Sequence, residues 1–104
     1  MRFRVLRLLE NEPELSQREL SRRLGVSLGG INYCLHALIE TGLVKLSNFR
    51  SSEDKRRYAY VLTRAGFAEK AALAGRFLAR KLREYEALQQ EIAQLRDEIG
   101  PGTE

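Results

Sequence analysis

The sequence holds one cysteine, one histidine and two prolines in 104 residues, and nowhere does it run 18 apolar residues together. Each scarcity closes a class of function. A lone Cys34 cannot form an internal disulfide, and with His36 it cannot complete a four-ligand zinc cage of the usual Cys and His kind. The pair also lies two residues apart in a helical pattern, where side chains point to different faces, which excludes a nucleophile and its base. No segment is long and apolar enough to span a bilayer. The start, MRFRVLRLLENE, lacks the apolar region and small-residue cleavage site of a secretory signal, so a cytoplasmic protein is expected. No acid, base, nucleophile and phosphate loop converge, and neither an enzyme, a metal nor a cofactor is expected.

Charge is plentiful and unevenly placed. Residues 1–83 carry 17 Lys and Arg against 8 Asp and Glu, a net +9, whereas residues 84–104 carry 1 against 6, a net −5. The basic part suits phosphate contact and the acidic end does not. At this length one small domain is expected, with a modest core that a partner subunit would help to stabilise.

Apolar spacing and capping residues divide the chain. A first helix is expected over residues 3–10, with Val5, Leu8 and Leu9 inward; it stops in NEPE, because Pro13 cannot continue it. Ser16 followed three residues later by Glu19 is a capping box, which predicts a second helix over Gln17–Leu24 with Leu20 and Leu24 buried. Gly25 and Val26 make a tight joint. Ser27 then caps a third helix, Leu28–Glu40, and Gly42 ends it by taking the left-handed conformation without strain. Ile31, Cys34, Leu35 and Leu38 recur at helical spacing and form its buried face. Of the two glycines in its first turn, Gly30 borders the buried side, where it would let the second helix pack closely, and Gly29 faces outward. Two short helices joined by a glycine-containing turn are the layout of a helix-turn-helix.

After Gly42 the apolar period changes to two. Residues 43–49 and 57–63 read as strands, and five of the seven residues between them are charged, which predicts a two-stranded wing with a solvated tip. Thr63 caps a last helix, Arg64–Ile99, about 50 Å long at 1.5 Å per residue. Its later half repeats in heptads: Leu78, Tyr85, Ile92 and Ile99 hold one core position, and Ala74, Lys81, Leu88 and Leu95 the other, with Lys81 the misfit. Such a stripe needs a second helix to cover it, most simply the same helix from another copy. The predicted homodimer interface is Leu78, Tyr85, Leu88, Ile92, Leu95 and Ile99, and Glu91 with Arg96 favours a parallel pair. The fold class is therefore mainly α with a β wing: a winged helix-turn-helix over residues 1–66, a dimerisation helix over 67–99 and a flexible tail over 100–104.

LSQRELSRRLGVSLGGINYCLHALIETGLVKL resembles the paired DNA-binding helices of the MarR family of regulators. SSEDKRRYAYVLTRAG resembles that family's wing, in which D-x-R is followed by a strand and L-T-x-x-G, here Asp54-Lys55-Arg56 and Leu62-Thr63-Arg64-Ala65-Gly66. The resemblance covers residues 15–66, and the wing is its more specific part. It implies a homodimeric transcription regulator on pseudo-palindromic operator DNA, with the helix from Leu28 in the major groove and Arg56, held by Asp54, reaching toward the minor groove. The chain is also similar in length to small family members found with exopolysaccharide gene clusters. Typical members have a further helix before the first one here, which helps to form the dimer and an effector pocket; a small-molecule effector is therefore not carried over.

The residues themselves point to the same surface. Opposite the buried face, the third helix presents Leu28, Gly29, Asn32, Tyr33 and His36. Asn32 can offer an amide to adenine, Leu28 can meet a thymine methyl, and Tyr33 and His36 can donate to bases or phosphates. Ser16 and Gln17, with Arg18 and Arg22 nearby, suit a backbone phosphate at a helix start, and Ser27 opens the next helix. Arg50, Lys55, Arg56 and Arg57 gather positive charge on the wing. The rival reading is a winged-helix module that binds proteins, but basic residues stand where such a module would want an apolar patch. Cys34 belongs to the apolar quartet, and a buried thiol without nearby positive charge is poorly reactive, so redox sensing is not expected.

Overall fold

The computed structural model describes residues 1–48 and 58–100. In chain order the elements are α1 (Arg2–Asn11), α2 (Gln17–Leu24), α3 (Leu28–Glu40), β1 (Val44–Asn48), β2 (Tyr58–Leu62) and α4 (Arg64–Ile99). The expected bounds of α2, α3 and α4 are reproduced, α1 is one residue longer at each end, and the strands are shorter than the apolar runs that announced them. Phe49 and Arg57, expected in the strands, lie outside the described residues, as do residues 101–104 of the expected tail.

Capping side chains set these limits. Ser16 Oγ accepts from Glu19 N at 3.1 Å while Ser16 N donates to Glu19 Oε1 at 3.4 Å, which closes the capping box on α2. Gly25, with φ +68°, ends that helix, and Val26 N donates back to Ser21 O at 3.1 Å. Ser27 Oγ accepts from Gly30 N at 3.0 Å and starts α3, leaving only Gly25, Val26 and Ser27 itself between the helices. Thr41 donates its hydroxyl to Ala37 O at 2.9 Å at the far end, and Gly42 turns the chain at φ +76°.

The chain forms two compact units, Met1–Leu73 and Ala74–Glu104. In the first, β1 and β2 pair antiparallel with Val44 opposite Leu62 and Leu46 opposite Tyr60. Tyr60 N also donates to Pro13 O at 3.1 Å, which fixes the wing strand beside the loop that enters α2. The core is built by Val5, Leu6 and Leu9 of α1, Leu20 and Leu24 of α2, Ile31, Leu35 and Leu38 of α3, and Val44 and Leu62 of the wing. Each such side chain contributes about 1.5–3 kcal/mol of burial before conformational entropy is set against it.

Three expectations about packing are corrected. Leu6 is fully buried in α1 and Leu8 only partly, because the sheet and α2 meet that helix on the Leu6 side of Val5 and Leu9. Cys34 is half-buried rather than sealed in the core. The nearest atom to a side chain added at Gly30 is its own cap, Ser27 Oγ, at 3.1 Å, so that glycine makes room for the capping hydroxyl and not for α2.

In the second unit α4 continues from Ala74 with its apolar side chains exposed, Leu78, Tyr85, Leu88, Ile92, Leu95 and Ile99 all being 41–62% accessible. A shallow groove of about 330 Å³ follows the helix along Tyr85, Leu88, Gln89, Ile92, Ala93 and Arg96.

Candidate nucleic-acid interface

With Ile31, Leu35 and Leu38 locked inward, the geometry of a helix leaves α3 no freedom over what it shows outward. Leu28, Gly29, Asn32, Tyr33 and His36 are exposed there, Tyr33 at 79%. No atom lies within 4 Å of a side chain added at Gly29, so the backbone there is open to a close approach. His36 Nδ1–H donates to Asn32 O at 3.1 Å, which in the neutral ring leaves Nε2 as an outward acceptor.

The start of α2 stands beside this face. Asn32 Nδ2 donates to Gln17 Oε1 at 3.2 Å, so the α2 terminus and the middle of α3 share one surface with Ser16 and Arg18 exposed next to it. Gln17 Nε2 in turn donates to the Tyr60 hydroxyl at 3.0 Å on the wing. Tyr60 carried no signal in the sequence: it is 43 residues from Gln17, and only the strand register brings it there.

Positive charge near this surface is partly committed elsewhere. Arg23 forks onto Glu12 at 2.8 and 3.3 Å, and Arg4 donates to Leu24 O at 3.1 Å, capping α2 from α1. Arg18 and Arg22 make no ion pair among the described residues and are exposed. The wing residues Arg50, Asp54, Lys55, Arg56 and Arg57 lie outside the described residues.

Cys34 opens into a recess of about 300 Å³ lined by Met1, Arg2, Gly30, Tyr33, Ala37 and Leu38. Burial pushes its thiol above the ordinary value of 9.0, against the pull of the positive amino terminus and Arg2. Among the described residues no three or more His, Cys, Asp or Glu come together to hold a metal ion, and no helix is long and apolar enough to cross a membrane.

Comparison with known proteins bears on this geometry. A family model described as winged helix-turn-helix DNA-binding matches residues 1–45. Among solved structures, the PcaV transcriptional regulator of Streptomyces coelicolor, in complex with its natural ligand, is 27% identical at a TM-score of 0.65, over 99% of this chain and 74% of that one. A MarR-family regulator from Rhodococcus sp. RHA1 is 24% identical at a TM-score of 0.66, over 94% of this chain and 69% of that one. The chain has the winged helix-turn-helix fold that these regulators share. Streptococcus pneumoniae FabT, solved in complex with DNA, shares this winged-helix fold at 22% identity and a TM-score of 0.61, over 94% of this chain and 68% of that one. No curated protein sequence gives a match.

Among the described residues of this winged helix-turn-helix the predicted contacts divide into two groups. Ser16, Gln17, Arg18, Ser27, Leu28, Gly29, Asn32, Tyr33 and His36 are carried by α2 and α3 within the first unit. Leu78, Tyr85, Leu88, Ile92, Leu95 and Ile99 are carried by α4 within the second.

Proposed function

We propose that the protein is a cytoplasmic transcription regulator that binds double-stranded DNA in a sequence-specific way as a homodimer. The observation that carries this reading is the outward face of α3. A helix whose opposite side is pinned in the core by Ile31, Leu35 and Leu38 presents an amide, a phenol, an imidazole, an apolar side chain and a bare backbone on one strip. That mixture fits the edges of bases in a major groove, which offer donors, acceptors and the thymine methyl side by side. The backbone N–H of Gln17 at the start of α2, with the Ser16 hydroxyl beside it, suits a phosphate, the Ser16 N–H being held by Glu19.

Around this centre the other contacts take their roles. Ser27, Leu28 and Gly29 enter the groove first, Asn32 reads adenine, and Tyr33 and His36 bond bases or phosphates. Arg50, Lys55, Arg56 and Arg57 follow the backbone on the wing, with Asp54 orienting Arg56 toward the minor groove. The α4 stripe pairs with its copy, and the operator is pseudo-palindromic, with half-sites one helical turn apart or a multiple of it. No cofactor is involved and no small-molecule effector is proposed, although the Streptomyces coelicolor neighbour is solved with its natural ligand.

Selection of bound duplexes from a random pool, followed by footprinting, tests the specificity and the symmetry together. A two-fold protected pattern is expected. Failure to shift any duplex at moderate salt would favour the rival, a winged helix that docks on proteins.

A further inference from the structure

Asn32, Gln17 and Tyr60 come from three separate elements, and their side chains are joined end to end by bonds of 3.2 and 3.0 Å. We infer that Tyr60 and Gln17 are positioning residues for base recognition, holding the Asn32 amide at the angle at which it reads DNA. This rests on the reading of α3 as the base-contacting helix.

An exposed asparagine samples several rotamers, and choosing one on binding costs side-chain entropy. The relay makes that choice in the free protein. Asn32 uses one of its two Nδ2 hydrogens on Gln17 Oε1. The second hydrogen and Oδ1 stay available, and those are the donor and the acceptor a bidentate contact with adenine needs. Holding Asn32 therefore leaves its reading capacity whole.

Gln17 can serve as a fixed post only if it is itself restrained. It is half-buried, its backbone begins α2 directly after the Ser16 cap, and its Nε2 donates to Tyr60. Tyr60 is the firm end: its ring packs against the core, and its backbone is held both by pairing with Leu46 and by the bond to Pro13 O. The phenol oxygen accepts from Gln17, and its hydrogen is left to donate to solvent. A wing strand thus controls a side chain on the recognition helix without touching it.

The test uses the full-length protein and Tyr60→Phe, which removes one oxygen and leaves the packed ring. In free protein, the side-chain amide signals of Gln17 and Asn32 are expected to move in the ¹⁵N–¹H spectrum while that of Gln94, carried by α4 in the second unit, stays. Toward duplexes selected by the wild type, preference over a duplex changed at one base position is expected to fall about tenfold, within the range one bidentate contact supplies. Binding to unrelated duplex and its salt slope should not change. In an Asn32→Ala background, Tyr60→Phe should cost nothing further. Additive effects of the two substitutions, a uniform loss on all duplexes, or unmoved amide signals would each overturn the relay. A wild type that selects no duplex while the amide signals still move would instead defeat the DNA reading and the relay's role in it together.

Discussion

A side chain added at Gly66 would place its Cβ 2.1 Å from the carbonyl oxygen of Leu43 and 3.4 Å from Leu62 Cβ. That oxygen cannot retreat cheaply, because it already accepts from Thr63 N at 3.0 Å. The Thr63 hydroxyl, for its part, accepts from Gly66 N at 3.1 Å and donates to Gly42 O at 2.6 Å. The spacing Leu62-Thr63 to Gly66 is thus the joint at which wing, α3 exit and α4 entry meet. Threonine supplies the cap and glycine the clearance.

Gly66→Ala should therefore destabilise the fold although alanine is the better helix former. Forcing a methyl against a fixed carbonyl costs about 1–3 kcal/mol, more than the roughly 1 kcal/mol alanine gains in propensity. At the upper end of that range the melting temperature falls by roughly 10 °C. Melting at or above the wild-type temperature would show that the joint relaxes freely.

The limits of α2, α3 and α4 were legible because capping is local: Ser16, Ser27 and Thr63 lie within three residues of the N–H groups they satisfy. The face of α1 was not. Val5 and Leu9 are compatible with a stripe through Leu6 or through Leu8, and the choice belongs to what packs on the helix. The wing's link to Gln17 through Tyr60 was equally hidden, since it joins residues 43 apart. Cys34 sat in an apolar pattern, yet its place beside Met1 and Arg2 leaves it half open.

Gly29 offers a direct separation of stability from binding. Its surroundings are empty and its φ is negative, so a larger residue fits the free protein. Gly29→Leu should raise thermal stability slightly, by a few tenths of a kcal/mol at this first-turn position. DNA binding should weaken at least tenfold in a gel shift, if the bare backbone admits a base edge or phosphate. Equal or tighter binding would remove the glycine from the groove.

Arg56→Ala should weaken DNA binding and lower the slope of log affinity against log salt by about 1, as expected for the loss of one positive charge at the DNA. Fluorescence anisotropy across a salt series measures this. An unchanged slope would strike Arg56 from the contacts.

The raised thiol of Cys34 has a pH consequence. The folded chain keeps its proton at a pH where the unfolded chain has lost it, so stability is full below the unfolded thiol value and declines as pH rises through the folded one. Cys34→Ala should lessen the stability lost between neutral and strongly alkaline pH. Alkylation of the folded protein should reach half its maximal rate above pH 9.0, the ordinary thiol value. A midpoint below it would identify an activated cysteine.

The proposed homodimer uses the apolar stripe of α4 as its interface. Ile92 is the least exposed of its members at 41%, and it lines the groove with Tyr85 and Leu88, so it stands at the centre of any seam formed there. In a two-fold dimer one substitution acts twice. Ile92→Glu would forfeit about 1.5–3 kcal/mol of burial on each helix and bring two carboxylates together in a dry interface. The sum exceeds what two heptads can spare. Sedimentation at micromolar concentration should show a wild-type dimer and a monomeric variant. The core of the first unit contains no residue of the stripe, so its cooperative melt should persist. Loss of paired half-site protection, with single half-site contacts retained, would trace the defect to assembly. A variant that stays dimeric would place the interface elsewhere.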